Sequence, residues 1–159
     1  MSKVVKRAGL AGLVGAGAAA ILLVIVPKHE GTVLKGYLDP VGIPTKCMGD
    51  TSDVVVAKRY TAQECQESLE RQLYAHAAPV LACTPQIKGN DHITAASVSL
   101  AYNIGTAAYC KSSIAAKFRA GDFRGGCAGF SAWTYAGGKQ WPGLVKRRAE
   151  ERAVCEAGL

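Results

Sequence analysis

From Ala8 to Val26 the chain runs for 19 residues without a charged or strongly polar side chain, and three cations, Lys3, Lys6 and Arg7, stand just before it. A helix of that length just spans the hydrocarbon core of a bilayer. Cations on the N-terminal flank place the N-terminus in the cytoplasm and everything beyond Pro27 across the membrane. Small residues at Ala16-Gly17-Ala18 and Ala18-Ala19-Ala20 also suit the cleavage site of a secretory signal peptide. The most apolar stretch, Ile21 to Val26, follows those positions, whereas the apolar core of a signal peptide precedes its cleavage site. The order favours a retained anchor over residues 1–27, followed by one exported domain over residues 28–159.

The first half of the run is nearly all Gly and Ala, so the segment is only marginally hydrophobic. Two readings of that composition stand side by side. It is simply a weak anchor, or its small side chains, such as Gly12, Ala16 and Ala20, form a face on which another helix packs closely.

The remaining chain is long enough for one compact domain and no more. Its six cysteines, Cys47, Cys65, Cys83, Cys110, Cys127 and Cys155, all lie beyond the apolar run and are widely dispersed. A zinc site shows ligands paired a few residues apart, which is not this pattern; no metal and no cofactor are expected. Dispersed cysteines in an exported chain read as disulfides, whereas six reduced thiols would suit a cytosolic protein. Nineteen Lys and Arg against twelve Asp and Glu give a net charge of +7, which favours a polyanionic partner. Nucleic acid is not the expected one, because no basic tract interleaved with aromatics is present.

Residues 31–60 are rich in Gly, Pro, Val and Thr without a helical period, and read as turns and short strands. Thr61-Ala62-Gln63-Glu64 has the form of a capping box. Cys65, Leu69, Leu73 and Ala77 then follow at intervals of four, predicting a helix that Pro79 or Pro85 ends. Helical spacing recurs from Ile93 to Ile104, from Ile114 to Phe118, and from an Asp122 cap to Trp133. A last helix opens with Pro142 and stops at Gly158. The predicted class is α+β, mainly helical with a small antiparallel sheet near the start, plus the N-terminal apolar helix.

Glu30, Asp39 and Thr45 follow directly on the apolar run, in the stretch E-G-T-V-L-K-G-Y-L-D-P-V-G-I-P-T-K-C-M-G. Two carboxylates beside a cleft are what glycoside hydrolysis requires, one as proton donor to the leaving oxygen and one ionised to activate water. The spacing alone is weak evidence. In its context, however, the segment resembles the catalytic segment of phage lysozymes of glycoside hydrolase family 24, through Glu30-Gly31, Tyr37-x-Asp39, Gly42-x-x-Thr45 and Gly49. Trp133 to Leu144 with Arg147-Arg148 and Glu151 is similar to the C-terminal signature of that family, and Ser99 to Gly105 to its central buried helix.

This resemblance implies a lysozyme-like fold and hydrolysis of the β-1,4 bond between N-acetylmuramic acid and N-acetylglucosamine in peptidoglycan. Glu30 would be the general acid, Asp39 the carboxylate that activates water and Thr45 the hydroxyl that helps hold it, with inversion at the anomeric carbon. As an acid Glu30 must keep its proton near neutral pH, which partial burial and a neighbouring carboxylate favour. Asn103 is a candidate hydrogen-bonding group in the cleft. The resemblance also implies the disulfides Cys47–Cys65 and Cys127–Cys155, which leaves Cys83 with Cys110, one of the fifteen connectivities that six cysteines permit.

One departure is Asp50, where the family often has a His that braces the active-site loop. His29 is read as a solvated side chain at the membrane exit, Arg147-Arg148 either as a solvent-facing pair meeting Glu150 and Glu151 or as a direct contact to peptidoglycan, and Trp133, Tyr135 and Trp141 as packing residues rather than sugar platforms.

The position of the apolar run implies regulation. Only Pro27, Lys28 and His29 separate it from Glu30, and an extended chain gains at most ~3.3–3.6 Å per residue. While residues 8–26 are embedded, Glu30 is held near the bilayer, as in signal-anchor-release endolysins that accumulate tethered and silent in the host inner membrane. Release to the periplasm, through topology and refolding because the anchor has no Cys, would activate it as a monomer. Two rivals share the charge and the export: a non-catalytic membrane-anchored protein that binds peptidoglycan, and a chitinase-like hydrolase of the same architecture.

Overall fold

The structure is a computed structural model in which residues 9–159 are described; Lys3, Lys6, Arg7 and Ala8 lie outside the described residues. The apolar run does not form one continuous helix. Gly15, at a φ of 94° that disfavours any side chain, divides it into α1 (Leu10–Val14) and α2 (Ala16–Glu30). At 15 residues α2 is about 22 Å long, against ~30 Å for the hydrocarbon of a bilayer. Among the described residues no helix is long and apolar enough to cross a membrane.

Instead the run is packed into the domain. Leu10, Val14, Ala18, Ala19, Leu22, Ile25 and Val26 are all buried, and α2 lies along α4 (Asp91–Ile104) while α1 also meets α3 (Ala62–Cys83). The small residues serve this contact. A Cβ added to Gly17 would clash with the Asp91 carboxyl group, so any other residue here would force the Asp91 side chain to move. The stripe of Gly12, Ala16 and Ala20 expected as a packing face is exposed; the small residues that pack are Gly17 against Asp91 and the buried Ala18 and Ala19. Helix α2 then continues through Pro27 and ends with Glu30, and Gly31 turns the chain out at a φ of 71°.

The expected β-region forms β1 (Val33–Leu38) and β2 (Pro44–Cys47), antiparallel, with Tyr37 opposite Thr45 and Leu38 opposite Pro44. The chain returns along the other edge of β1, where Lys35 bridges to Arg59. Helix α3 starts with the capping box, Thr61 Oγ1 accepting from the Glu64 amide and Glu64 accepting from the Thr61 amide. Its buried face carries Cys65, Leu69, Leu73 and Ala77. Pro79 sits inside the helix, and it is Pro85, opening a short 3-10 turn, that follows its end.

Helix α4 is the centre of the domain. Every residue from Ile93 to Ala101 is buried, with α2, α3 and α8 (Pro142–Glu156) packed round it. A helix buried on nearly all sides needs small or apolar residues throughout, and this one supplies Ala, Ser, Thr, Val and Leu. Helices α5 (Thr106–Lys111), α6 (Ser113–Arg119) and α7 (Phe123–Gly129) follow. The helix expected to reach Trp133 stops at Gly129 and tightens into a 3-10 turn over Phe130–Ala132. A small hairpin comes next, β3 (Tyr135–Ala136) and β4 (Lys139–Gln140), turned by Gly137-Gly138, both at positive φ. That pair of glycines is a hairpin signal that the helical reading of the neighbourhood hid.

Three disulfides join Cys47 to Cys65, Cys83 to Cys110 and Cys127 to Cys155. They tie the sheet to α3, the end of α3 to α5, and α7 to α8. The architecture is the expected α+β arrangement, helices dominating with a small sheet near the start.

Burial divides α2 sharply: Leu22 is fully buried whereas Val24 is 71% exposed. Leu22→Ala should therefore destabilise the water-soluble protein by about 2–5 kcal/mol and Val24→Ala by less than about 0.5 kcal/mol. Urea unfolding of the two variants measures the difference, and equal effects would contradict the packing described.

Candidate active site

Glu30 stands at the last position of α2, where it meets α8. Its side chain is 23% exposed, and Arg147 Nη1 donates to Glu30 Oε1 at 2.5 Å. Arg147 is itself buried, and its guanidinium is shared three ways. Nε donates to Glu151 Oε1 at 3.0 Å and Nη2 to the Ser99 carbonyl at 3.3 Å. Ser99 Oγ donates to the same Glu151 oxygen at 2.7 Å.

Arg148 completes the cluster. It is fully buried, donates through Nη2 to Asn103 Oδ1, and holds Nη1 3.0 Å from Glu151 Oε2. That last contact lacks hydrogen-bond geometry and is coulombic, while Arg148 Nε has no partner among the described residues. Burial pushes the Arg148 guanidinium below its ordinary value and Glu151 partly offsets this. Two cations and two anions are thus gathered under one wall of the site. The structure corrects the expectation of a solvent-facing Arg147-Arg148 pair. The alternation of charges suits a wet helix, and Glu151 on α8 is a partner as expected. Both arginines are nonetheless buried, and their other partners, Glu30, Ser99 and Asn103, come from α2 and α4.

His29 is corrected likewise. Its side chain is only 9% exposed and Nε2 lies 2.8 Å from Glu150 Oε2, while Lys28 Nζ donates to Glu150 Oε1 at 2.9 Å. The hydrogen bond from Lys28, and then that from His29, holds the Glu150 carboxyl below the usual range.

A cavity of about 530 Å³ opens beside Glu30, lined by Glu30, Asn103, Trp141, Leu144, Lys146 and Arg147 among others. Asn103 gives its amide oxygen to Arg148, which leaves its NH2 group for the cavity. Trp133 packs against the core as expected, but Tyr135 is 64% and Trp141 46% exposed. Trp141 borders the cavity, with Lys139 Nζ 4.7 Å from its ring centroid. Aromatics on both sides of a Gly-Gly turn were the available signal.

Asp39, at the turn between β1 and β2, and Thr45, in β2, lie outside the lining of that cavity, on the lobe built on the β1–β2 hairpin as distinct from the helical lobe that carries Glu30. The Ile43 peptide links them. Asp39 Oδ1 accepts from the Val41 and Ile43 amides at 2.9 and 2.8 Å, and Thr45 Oγ1 donates to the Ile43 carbonyl at 2.9 Å. Asp39 Oδ2 accepts nothing among the described residues, and the Thr45 oxygen keeps its lone pairs.

Asp50 was not singled out as a functional group, yet it braces this hairpin. Only 2% exposed, it accepts from Ser68 Oγ at 2.5 Å and from the Ser52 amide at 2.8 Å, with Lys46 and Arg71 within 4 Å. Burial raises the Asp50 carboxyl, but the Ser68 and Ser52 hydrogen bonds outweigh it and hold the group below its ordinary value. Tyr102 ties the lobes together, its hydroxyl donating to the Met48 carbonyl at 2.7 Å. Burial, then the Glu30 and Asp50 charges, push that phenol well above the usual range.

The sequence model of the family described as Phage lysozyme matches residues 27–151. A protein named SAR-endolysin from Enterobacteria phage P21 is 37% identical over 94% of both chains. Among solved structures, the active form of an endolysin of phage P1 covers 94% of each chain with a TM-score of 0.78, at 22% identity. The secreted inactive form of that endolysin, at 18% identity and covering 91% of this chain and 96% of its own, gives 0.58. At these identities the two structures speak to the fold alone.

The buried charge cluster sets a stability test. Glu151→Ala leaves two guanidinium groups without their shared anion and should cost about 3–5 kcal/mol. Glu156→Ala, which breaks only the exposed pair with Arg152, should cost less than about 1 kcal/mol. Chemical denaturation reads both, and comparable losses would show that the cluster has no special weight.

Proposed function

The chain belongs to the phage lysozyme family, and on that premise we propose that it is an endolysin with lysozyme activity, hydrolysing the β-1,4 bond between N-acetylmuramic acid and N-acetylglucosamine of bacterial peptidoglycan. The observation that carries this reading is Glu30, fixed by Arg147 at the edge of a cavity whose walls offer the Asn103 amide and the Trp141 ring.

In this reading Glu30 gives its proton to the glycosidic oxygen as the bond to the anomeric carbon breaks. Asp39 Oδ2, without a partner among the described residues, accepts a proton from the attacking water. Thr45 Oγ1, whose own proton is engaged by the Ile43 carbonyl, accepts the water's other hydrogen and orients it, with inversion at the anomeric carbon. Asn103 hydrogen-bonds substrate beside Glu30.

Residues 1–27 act as a signal-anchor-release segment and residues 28–159 as the catalytic domain, monomeric and without cofactor. Before release the segment holds the enzyme in the host inner membrane with its N-terminus cytoplasmic. After release the enzyme works in the periplasm. The related P21 protein carries the SAR-endolysin name, which supports this. With the apolar segment seated against α4, Glu30 reaches Arg147; in a bilayer it could not.

Turbidity of chloroform-treated Gram-negative cells, with analysis of the sugar at the new reducing end, tests the assignment. The parent should clear the suspension and expose muramic acid ends, and Glu30→Gln should be slower by about 10²–10⁴-fold. Undiminished lysis by Glu30→Gln would remove Glu30 as the acid, binding without cleavage would favour the peptidoglycan-binding rival, and equal cleavage of chitin the chitinase-like one.

A further inference from the structure

From Gly9 to Pro27 the segment offers no polar side chain, and the half of it before Ile21 is almost entirely Gly and Ala. Its buried side chains, Leu22, Ile25 and Val26 among them, hold α2 on the domain through non-directional contacts. A few polar contacts are the best-attested means of fixing the register of a packed helix closely enough to place a reacting group. The first groups on α2 with directional partners are its last three residues, Lys28, His29 and Glu30. All three meet α8. Glu30 takes Arg147, and Lys28 and His29 take the two oxygens of Glu150, one helical turn further along α8.

We propose that Glu150 is a positioning residue: by receiving Lys28 and His29 together it fixes the register of α2 on the domain, and so sets where Glu30 stands relative to the substrate. This rests on the acid role of Glu30 proposed above. The two contacts differ in kind. The Arg147 bond is at the site itself and holds Glu30 whenever the carboxylate has arrived. The Glu150 contacts lie one residue earlier, outside the buried cluster, with Glu150 31% exposed, and are free to form first. Lys28 and His29 are adjacent in sequence yet converge on one carboxylate, so a helix displaced by one turn satisfies neither. A misplacement of about 1 Å at a reacting group costs up to 10²-fold in rate, so register matters more to turnover than to stability.

The test uses the full-length chain in its water-soluble form, with kcat and KM measured on soluble peptidoglycan fragments. Glu150→Lys expels Lys28 and is expected to lower kcat by roughly 10- to 100-fold with KM within about twofold. Being at the surface, it should move Tm by no more than about 4 °C. Adding Lys28→Glu restores the pair with its charges reversed and should bring kcat back to within about threefold of the parent. The proposal is overturned if Glu150→Lys keeps its kcat, if the charge swap gives no recovery, or if the loss is carried by KM or follows a fall in Tm. Glu30→Gln is run alongside. If it is inactive while Glu150→Lys is active, only the positioning role fails; if Glu30→Gln is itself active, the acid assignment fails and this proposal with it.

Discussion

The Arg147 guanidinium is the joint on which the molecule depends. It is buried where α2, α4 and α8 meet and is held by one group from each, Glu30, the Ser99 carbonyl and Glu151. A charge in such a place is costly unless its partners are close and well aligned, and removing one partner costs more than the pair contributes. One of the three partners arrives on the apolar segment. Seating that segment therefore completes the electrostatics of the cluster as well as the core, and withdrawing it leaves Arg147 with its internal partners only. The same contact that satisfies the cation brings Glu30 to the edge of the cavity.

In the release scheme proposed above, this coupling lets one stretch of sequence serve two environments. A bilayer and a protein interior both reward apolar side chains, and hydropathy alone does not distinguish them. The distinction lies in detail. Gly15 breaks the run, Gly17 admits the Asp91 carboxyl group where a Cβ would clash with it, and α2 is shorter than a bilayer is thick. A run built for the membrane alone would use large residues throughout. Here the small ones let α2 lie close to α4, and Leu22, Ile25 and Val26 supply the burial that holds it there.

Features that depend on neighbours in sequence are legible in the sequence itself. The Thr61–Glu64 box, the four-residue apolar spacing of α3, the Asp122 cap and the turn-rich β-region are local patterns with local causes. What could not be read depended on distant partners. Arg147-Arg148 in a helix full of glutamates has the look of a solvated face, and only Ser99, Asn103 and Glu30, at least 44 positions away, make it a buried cluster. His29 reads as a solvated side chain until Glu150 is placed beside it. Asp50 stood out only as a departure from the family's usual His, yet its hydrogen bonds to Ser68 and Ser52 do the bracing. Glu30, Asp39 and Thr45 were found through the resemblance of their segment, and their distribution over two lobes became visible only in the fold.

The central claim is that in the working enzyme the apolar segment is a seated core helix. Amide hydrogen exchange followed by mass spectrometry on the water-soluble, lytically active protein tests it directly. Residues 18–26 should exchange as slowly as residues 93–101 of α4, because both are packed in one core and open only with the whole domain. Exchange of residues 18–26 within seconds, in protein that lyses cells at full rate, would contradict the account.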